Sequence, residues 1–221
     1  MSKAFIFDMD GVLVNTEQVW FEHEGNFLDK LFGREISQKI GDTVGVSLLD
    51  IYRKAKGFGF NKSLEEVQGI WDETAFRVYD KAIITQDTDK LMEFLISNNF
   101  IIGLVSASKM SWINKVLPRL PFKNSIASII SLEHELDLSL RPKPSPDKYM
   151  EMMKRLKTDP GDSIILEDSN TGIIAATSSG AFTIGFTQNL LNGYKQIDIT
   201  DAKANNMKEV IEIVRNWLEF N

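Results

Sequence analysis

The sequence predicts an α/β fold: a parallel sheet with helices on both faces, interrupted near its start by an all-helical insert. Three observations carry this. Short apolar runs recur along the chain, and several end abruptly in acids or hydroxyls. Amphipathic stretches separate them, and strands alternating with helices produce parallel sheets. The stretch from about Asn15 to about Asp87 breaks that rhythm, with apolar residues at helical spacing and no clear strand.

In chain order, Ala4-Phe5-Ile6-Phe7 reads as a buried strand running into Asp8-Met9-Asp10-Gly11. Residues 15–87 follow as a helical insert, in which Val19, Trp20, Phe27, Leu28, Leu31 and Trp71 recur at helical spacing. It hangs on linkers near Val14-Asn15 and residues 84–89, and Gly57-Phe58-Gly59 marks an internal loop. Residues 1–14 and 88–221 then form the core. Four more strands are expected at 101–105, 126–130, 163–166 and 182–186, with helices at 91–97, 146–156, 171–179 and 207–220. In sheets of this kind ligands bind beyond the carboxyl ends of the strands.

Composition narrows the function classes. With 221 residues, 43% of them hydrophobic, the chain can bury a large core. A formal net charge of -6 with scattered acids excludes a nucleic-acid backbone as the expected partner, because that needs clustered Lys and Arg. There are no cysteines, hence no disulfide, thiolate nucleophile or Cys-type zinc site. No secretory leader is visible, and the longest strongly apolar run, at 100–105, is far short of the roughly 20 residues that span a bilayer. The expectation is a cytoplasmic protein without membrane contact, monomeric by default.

Four strand-end segments carry chemistry. In Asp8-Met9-Asp10-Gly11, two carboxylates one residue apart are costly to bury unless a cation or ligand charge balances them. Asp8 can give one oxygen to a metal and attack phosphorus with the other, and Asp10 can act as general acid and then base. The backbone carbonyl of Asp10 is free to ligate metal, and Gly11 permits a sharp turn. The alternative is a solvated Asp-x-Asp-Gly turn. In Ser106-Ala107-Ser108-Lys109, hydroxyls and amides past a strand end suit a phosphoryl group, or else cap a helix. In Arg141-Pro142-Lys143-Pro144-Ser145-Pro146, three prolines stiffen the segment around Lys143, whose ammonium can neutralise a transferring phosphoryl group. In Glu167-Asp168-Ser169, Asp168 is a natural direct metal ligand and Glu167 a direct or water-mediated one; the alternative is a pair of acids capping the next helix.

Together, in this order, the four segments resemble the haloacid dehalogenase superfamily of phosphohydrolases, over essentially the whole chain. Phe7-Asp8-Met9-Asp10-Gly11-Val12, Ser106-Ala107-Ser108-Lys109 and Leu166-Glu167-Asp168-Ser169 are most similar to the helical-cap group that includes β-phosphoglucomutase. The resemblance implies a Rossmann-like core with an inserted cap. It implies Asp8 as the residue phosphorylated, Asp10 as acid and base, and Ser106 and Lys143 as phosphoryl ligands. Mg²⁺ would be held by Asp8, the Asp10 carbonyl, Glu167 and Asp168. Ala107, Ser108 and Lys109, with the cap loop Gly45-Val46-Ser47, are expected to face a small phosphorylated metabolite.

Within that group, Asp at position 10 disfavours the dehalogenase branch, and Asn15-Thr16-Glu17-Gln18 lacks the early cap lysine of the phosphonate-cleaving branch. A sugar-phosphate mutase is expected to carry an arginine directly after Gly-Val-Ser and a histidine early in the cap. Here those positions hold Leu48 and Trp20, so a phosphatase is favoured and the mutase stays as the alternative. A catalytically idle binder of a phosphorylated metabolite or a partner protein is the alternative from another class. Trp20 and Trp71 are expected to pack the cap helices, Arg77 and Lys81 to line a solvated face, and His23 and His134 to stand apart from the chemistry.

Overall fold

The computed structural model describes residues 2–16, 18–20, 27–41, 43, 46 and 48–220. A six-stranded sheet forms its centre, built from β1 (Lys3–Phe7), β4 (Phe100–Val105), β5 (Ile126–Ile130), β6 (Ser163–Glu167), β7 (Phe182–Phe186) and β8 (Ala202–Ala204). The order is β5-β4-β1-β6-β7-β8, and every pairing is parallel. β1 lies in the middle, with Phe7 opposite Leu104 on one side and Leu166 on the other. The motif segments after β1, β4 and β6 therefore leave the sheet at one edge.

Alternation along β1 builds a core on each face. Phe5 and Phe7 pack with Leu91, Met92 and Leu95 of α5 (Thr88–Ser97) and with Val210, Val214 and Trp217 of α10 (Met207–Phe220). Ala4 and Ile6 point the other way, onto Tyr149, Met152 and Leu156 of α8 (Asp147–Leu156) and Ala175 and Ala176 of α9 (Asn170–Ser178). The expectation of helices on both faces of a parallel sheet holds.

Between β1 and α5 come α1 (Phe27–Phe32), α2 (Arg34–Ile40), α3 (Leu48–Gly57) and α4 (Leu64–Lys81). They share a small core of their own, including Phe32, Ile40, Ile51, Phe60 and Val67. α4 begins at a reciprocal cap, in which Ser63 and Glu66 satisfy each other's backbone N–H.

Two expectations need correction. The stretch near the insert is not free of strands: β2 (Val14–Asn15) pairs antiparallel with β3 (Ile83–Ile84) where the chain leaves and rejoins the core. Two residues are too few to show a strand period, and the pairing joins positions about 70 apart. The sheet also has a sixth strand, β8, whose Ala-Lys-Ala sequence is too short and too mixed to read as buried. Shorter helices also went unread, among them α6 (Met110–Val116) and α7 (Leu132–Asp137).

Candidate active site

Asp8 continues β1 past its last residue, and its N–H still donates to the Leu166 carbonyl at 3.1 Å. Its carboxylate is buried against Lys143, whose Nζ lies 2.5 Å from Asp8 Oδ1. The same ammonium donates to Glu167 Oε1. Glu167 also accepts from the Tyr149 hydroxyl at 2.8 Å, and its Oε2 accepts from the Ser169 N–H and Oγ, both at 3.1 Å. Both oxygens of Glu167 are thus taken by protein donors. The loop bearing Lys143 is pinned by Arg141, which grips Asp147 at 2.8 and 3.0 Å.

These charges shift one another. Burial pushes the Asp8 carboxyl well above the usual range; Lys143 opposes this, while Glu167 and Asp10 add to it. Burial works against the charge on Lys143, but the Asp8 and Glu167 carboxylates outweigh it and hold the ammonium firmly protonated. For Glu167, burial is overcome by Lys143 and the surrounding donors, so its carboxyl sits below its ordinary value. One ammonium serves two acids.

Asp10 turns towards the helical insert. Thr16 Oγ1 donates to its Oδ1 at 3.0 Å, the Tyr79 hydroxyl donates to Oδ1 at 2.8 Å, and Ser108 Oγ donates to Oδ2 at 2.8 Å. Tyr79 and Ser108 also touch each other at 2.7 Å, closing a ring of three short oxygen contacts. Burial pushes the Asp10 carboxyl up, against the hydrogen bonds from Ser108, Tyr79 and Thr16.

β4 delivers Ser106, whose N–H donates to the Ile130 carbonyl at 2.9 Å. Its Oγ accepts from the Ser108 N–H at 3.0 Å and lies 3.5 Å from Asp10 Oδ2, so the hydroxyl sits beside the acid pair. Ala107 is half-buried in the same turn. Lys109 Nζ is held by both oxygens of Asp72, at 2.8 and 2.7 Å, across the seam between insert and core. Val46 packs against the small core of the insert, and Leu48 is buried there. Gly45, Ser47 and His23 lie outside the described residues.

Among the described residues no three His, Cys, Asp or Glu side chains form a ready-made metal cluster, as Lys143 stands between Asp8 and Glu167. The donor set nevertheless fits a hard divalent cation. Gly11 (φ 74°) brings the backbone so close to Asp168 that a Cβ there would lie 1.9 Å from its Oδ2. The turn is held by Asn189 Nδ2, which donates to the Gly11 carbonyl at 2.9 Å. Asp168 thus lies against the turn that follows Asp10. Carboxylate and carbonyl oxygens suit Mg²⁺, and Asp8, Asp168 and the Asp10 carbonyl would hold it.

The structure brings Asp8, Asp10, Ser106, Ser108, Lys143, Glu167 and Asp168 into one site. Sequence reading missed Thr16, Tyr79, Tyr149 and Asn189. Thr16 lies close enough to the first motif to be suspected, whereas Tyr79 has the same helical spacing as any core tyrosine.

A family model described as haloacid dehalogenase-like hydrolase matches residues 5–186. Hexitol phosphatase B of Escherichia coli K12 is 25% identical over 212 residues, covering 94% of this chain and 93% of that protein. A phosphorylated carbohydrates phosphatase of Thermotoga maritima is 24% identical, covering 98% of this chain and 100% of that one. The crystal structure of β-phosphoglucomutase from Clostridium difficile superposes with a TM-score of 0.73 at 23% identity, covering 100% of this chain and 99% of that one. With strand-end acids, fold and matched span in agreement, the chain belongs to the haloacid dehalogenase-like hydrolases.

Proposed function

We propose that this chain is a Mg²⁺-dependent phosphatase that hydrolyses a small phosphorylated metabolite, of the sugar-phosphate class, through a phosphoaspartate at Asp8. The observation that carries the reading is a buried Asp8–Lys143 ion pair two residues from an Asp10 whose carboxyl is bound instead by the Tyr79, Thr16 and Ser108 hydroxyls. Two carboxylates with different partners suit a two-step phosphoryl transfer, one as nucleophile and the other as acid and base. The names of the hexitol and carbohydrate phosphatase relatives support the substrate class.

In the first step an Asp8 oxygen attacks phosphorus in line, the bond to the leaving oxygen breaks, and Asp10 gives that oxygen its proton. In the second, Asp10 takes a proton from water, whose oxygen attacks the phosphorus of the aspartyl phosphate. Inorganic phosphate leaves and the Asp8 carboxylate returns. Lys143 and the Ser106 hydroxyl hold the non-bridging oxygens. When bound, Mg²⁺ supplies positive charge to the carboxylates and the transferring group. Residues 15–87 act as a cap domain that excludes water in the first step and selects the substrate.

Two observations favour a phosphatase over a mutase, which must grip a second phosphate from the cap. Leu48 is buried in the cap core, and the charge of Lys109 is already paired with Asp72. The test is phosphate release from a panel of sugar phosphates, nucleotides and small phosphoacids, with Mg²⁺ and with a chelator. Release that needs Mg²⁺ and peaks on sugar phosphates is expected. Isomerisation of a hexose phosphate that needs a bisphosphate activator, without phosphate release, would establish the mutase instead.

A further inference from the structure

We propose that Tyr79 is a positioning residue: its hydroxyl, carried by the insert helix α4, fixes the orientation of the Asp10 carboxyl for the acid step. The inference rests on Asp10 acting as general acid in the phosphatase reading. Tyr79 lies near the end of α4 and is 3% exposed. Its hydroxyl reaches across the seam to Asp10 Oδ1 at 2.8 Å and to Ser108 Oγ at 2.7 Å.

The rest of the helix is built to deliver that hydroxyl. The Tyr79 ring stacks on Trp112 of the core helix α6, with centroids 5.6 Å apart and planes 23° from parallel. Arg119, from the core, donates to the Tyr79 carbonyl at 2.9 Å and to the Ala82 carbonyl, filling acceptors that a helix end leaves open. Seven residues earlier, two turns along the same face, Asp72 grips Lys109 of the Ser106–Lys109 turn. α4 thus meets the turn that carries the phosphoryl ligands at one point and the acid at the other.

Thr16 and Ser108 keep one donor on each Asp10 oxygen when Tyr79 is absent. Removing the phenol hydroxyl therefore leaves the fold and the other contacts in place and slackens only the aim of the carboxyl. A tyrosine that merely fills space needs its hydroxyl satisfied, but gives no reason for catalysis to depend on the leaving group.

That difference is the test. Tyr79→Phe keeps the ring on Trp112 and deletes the hydroxyl. kcat/KM is measured with Mg²⁺ on p-nitrophenyl phosphate, whose leaving group departs without a proton, and on phenyl phosphate, whose leaving group draws on the acid. This ratio reports only steps up to departure of the leaving group. The expected result is a fall of about tenfold on phenyl phosphate and less than about twofold on p-nitrophenyl phosphate, with the melting temperature unchanged. Equal losses on both substrates, or no loss on either, would overturn the inference while leaving the phosphatase reading intact. If the wild type turns over neither aryl ester, the same comparison is made on the sugar phosphate it hydrolyses best, where Tyr79→Phe is expected to lose about tenfold in kcat/KM and an unchanged kcat/KM would overturn the inference; a wild type that hydrolyses no phosphate ester at all would overturn both.

Discussion

The strand-end site of the core and the helical insert satisfy their charges in opposite ways. Around the site, ionic groups are buried and shared: Lys143 serves Asp8 and Glu167, and Lys148 (1% exposed) pairs with Glu135 at 2.5 Å while its Nζ lies 3.3 Å from the Ser106 carbonyl. In the insert, ion pairs lie on the surface, as in Lys39–Glu35, with side chains 49% and 82% exposed. Exposed pairs contribute at most about 1 kcal/mol, whereas breaking a buried pair leaves a stranded charge. The strand-end site is therefore stiff in its electrostatics, holding Asp8 and its counter-ion in one arrangement. The described polar ties that join insert to core include Tyr79 with Asp10 and Ser108, Asp72 with Lys109, and Arg119 with the end of α4. Ala75 and Tyr79 of α4 also belong to the buried apolar cluster of Phe5 and Phe7, so packing joins the seam as well.

The contrast can be broken first on the core side. Lys148→Met strands Glu135 beneath the phosphoryl-binding turn. It is expected to cost about 3–5 kcal/mol and to lower the melting temperature by roughly 10 °C, with much of the loss regained when Glu135→Leu is added. A single variant as stable as the parent would show that the buried pair is not what stiffens the site. On the insert side the effect is smaller. Asp72 is 40% exposed, so Asp72→Asn is expected to change stability by less than about 1 kcal/mol and to raise KM about two- to fivefold, leaving kcat nearly unchanged. A tenfold fall in kcat would instead place Asp72 within the chemistry.

How much of this was legible in the sequence follows from how local each signal is. Asp8, Asp10, Glu167 and Asp168 were readable because each follows a short run of buried apolar residues, a pattern confined to fewer than ten positions. Lys143 was readable from its flanking prolines. Tyr79 and Asn189 were not, because their partners lie 69 and 178 positions away. Lys148 was equally hidden, since a lysine in the first turn of an amphipathic helix looks like its solvent face. The β2–β3 ribbon and β8 failed for the same reason: two or three residues carry no periodicity, and only tertiary pairing makes them strands. The family resemblance implied the roles; it did not disclose which residues of the insert reach Asp10.

The central claim is that the carboxylate of Asp8 is the group that takes the phosphoryl. Its most direct test is Mg²⁺-dependent phosphate release by Asp8→Asn, which keeps the side-chain shape and removes the nucleophilic oxygen's charge. In a preparation free of host phosphatase, release is expected to fall to the background level, by about 10⁴-fold or more, while the fold is retained. A variant that keeps wild-type turnover would contradict the account, because phosphorus would then be attacked by some other group.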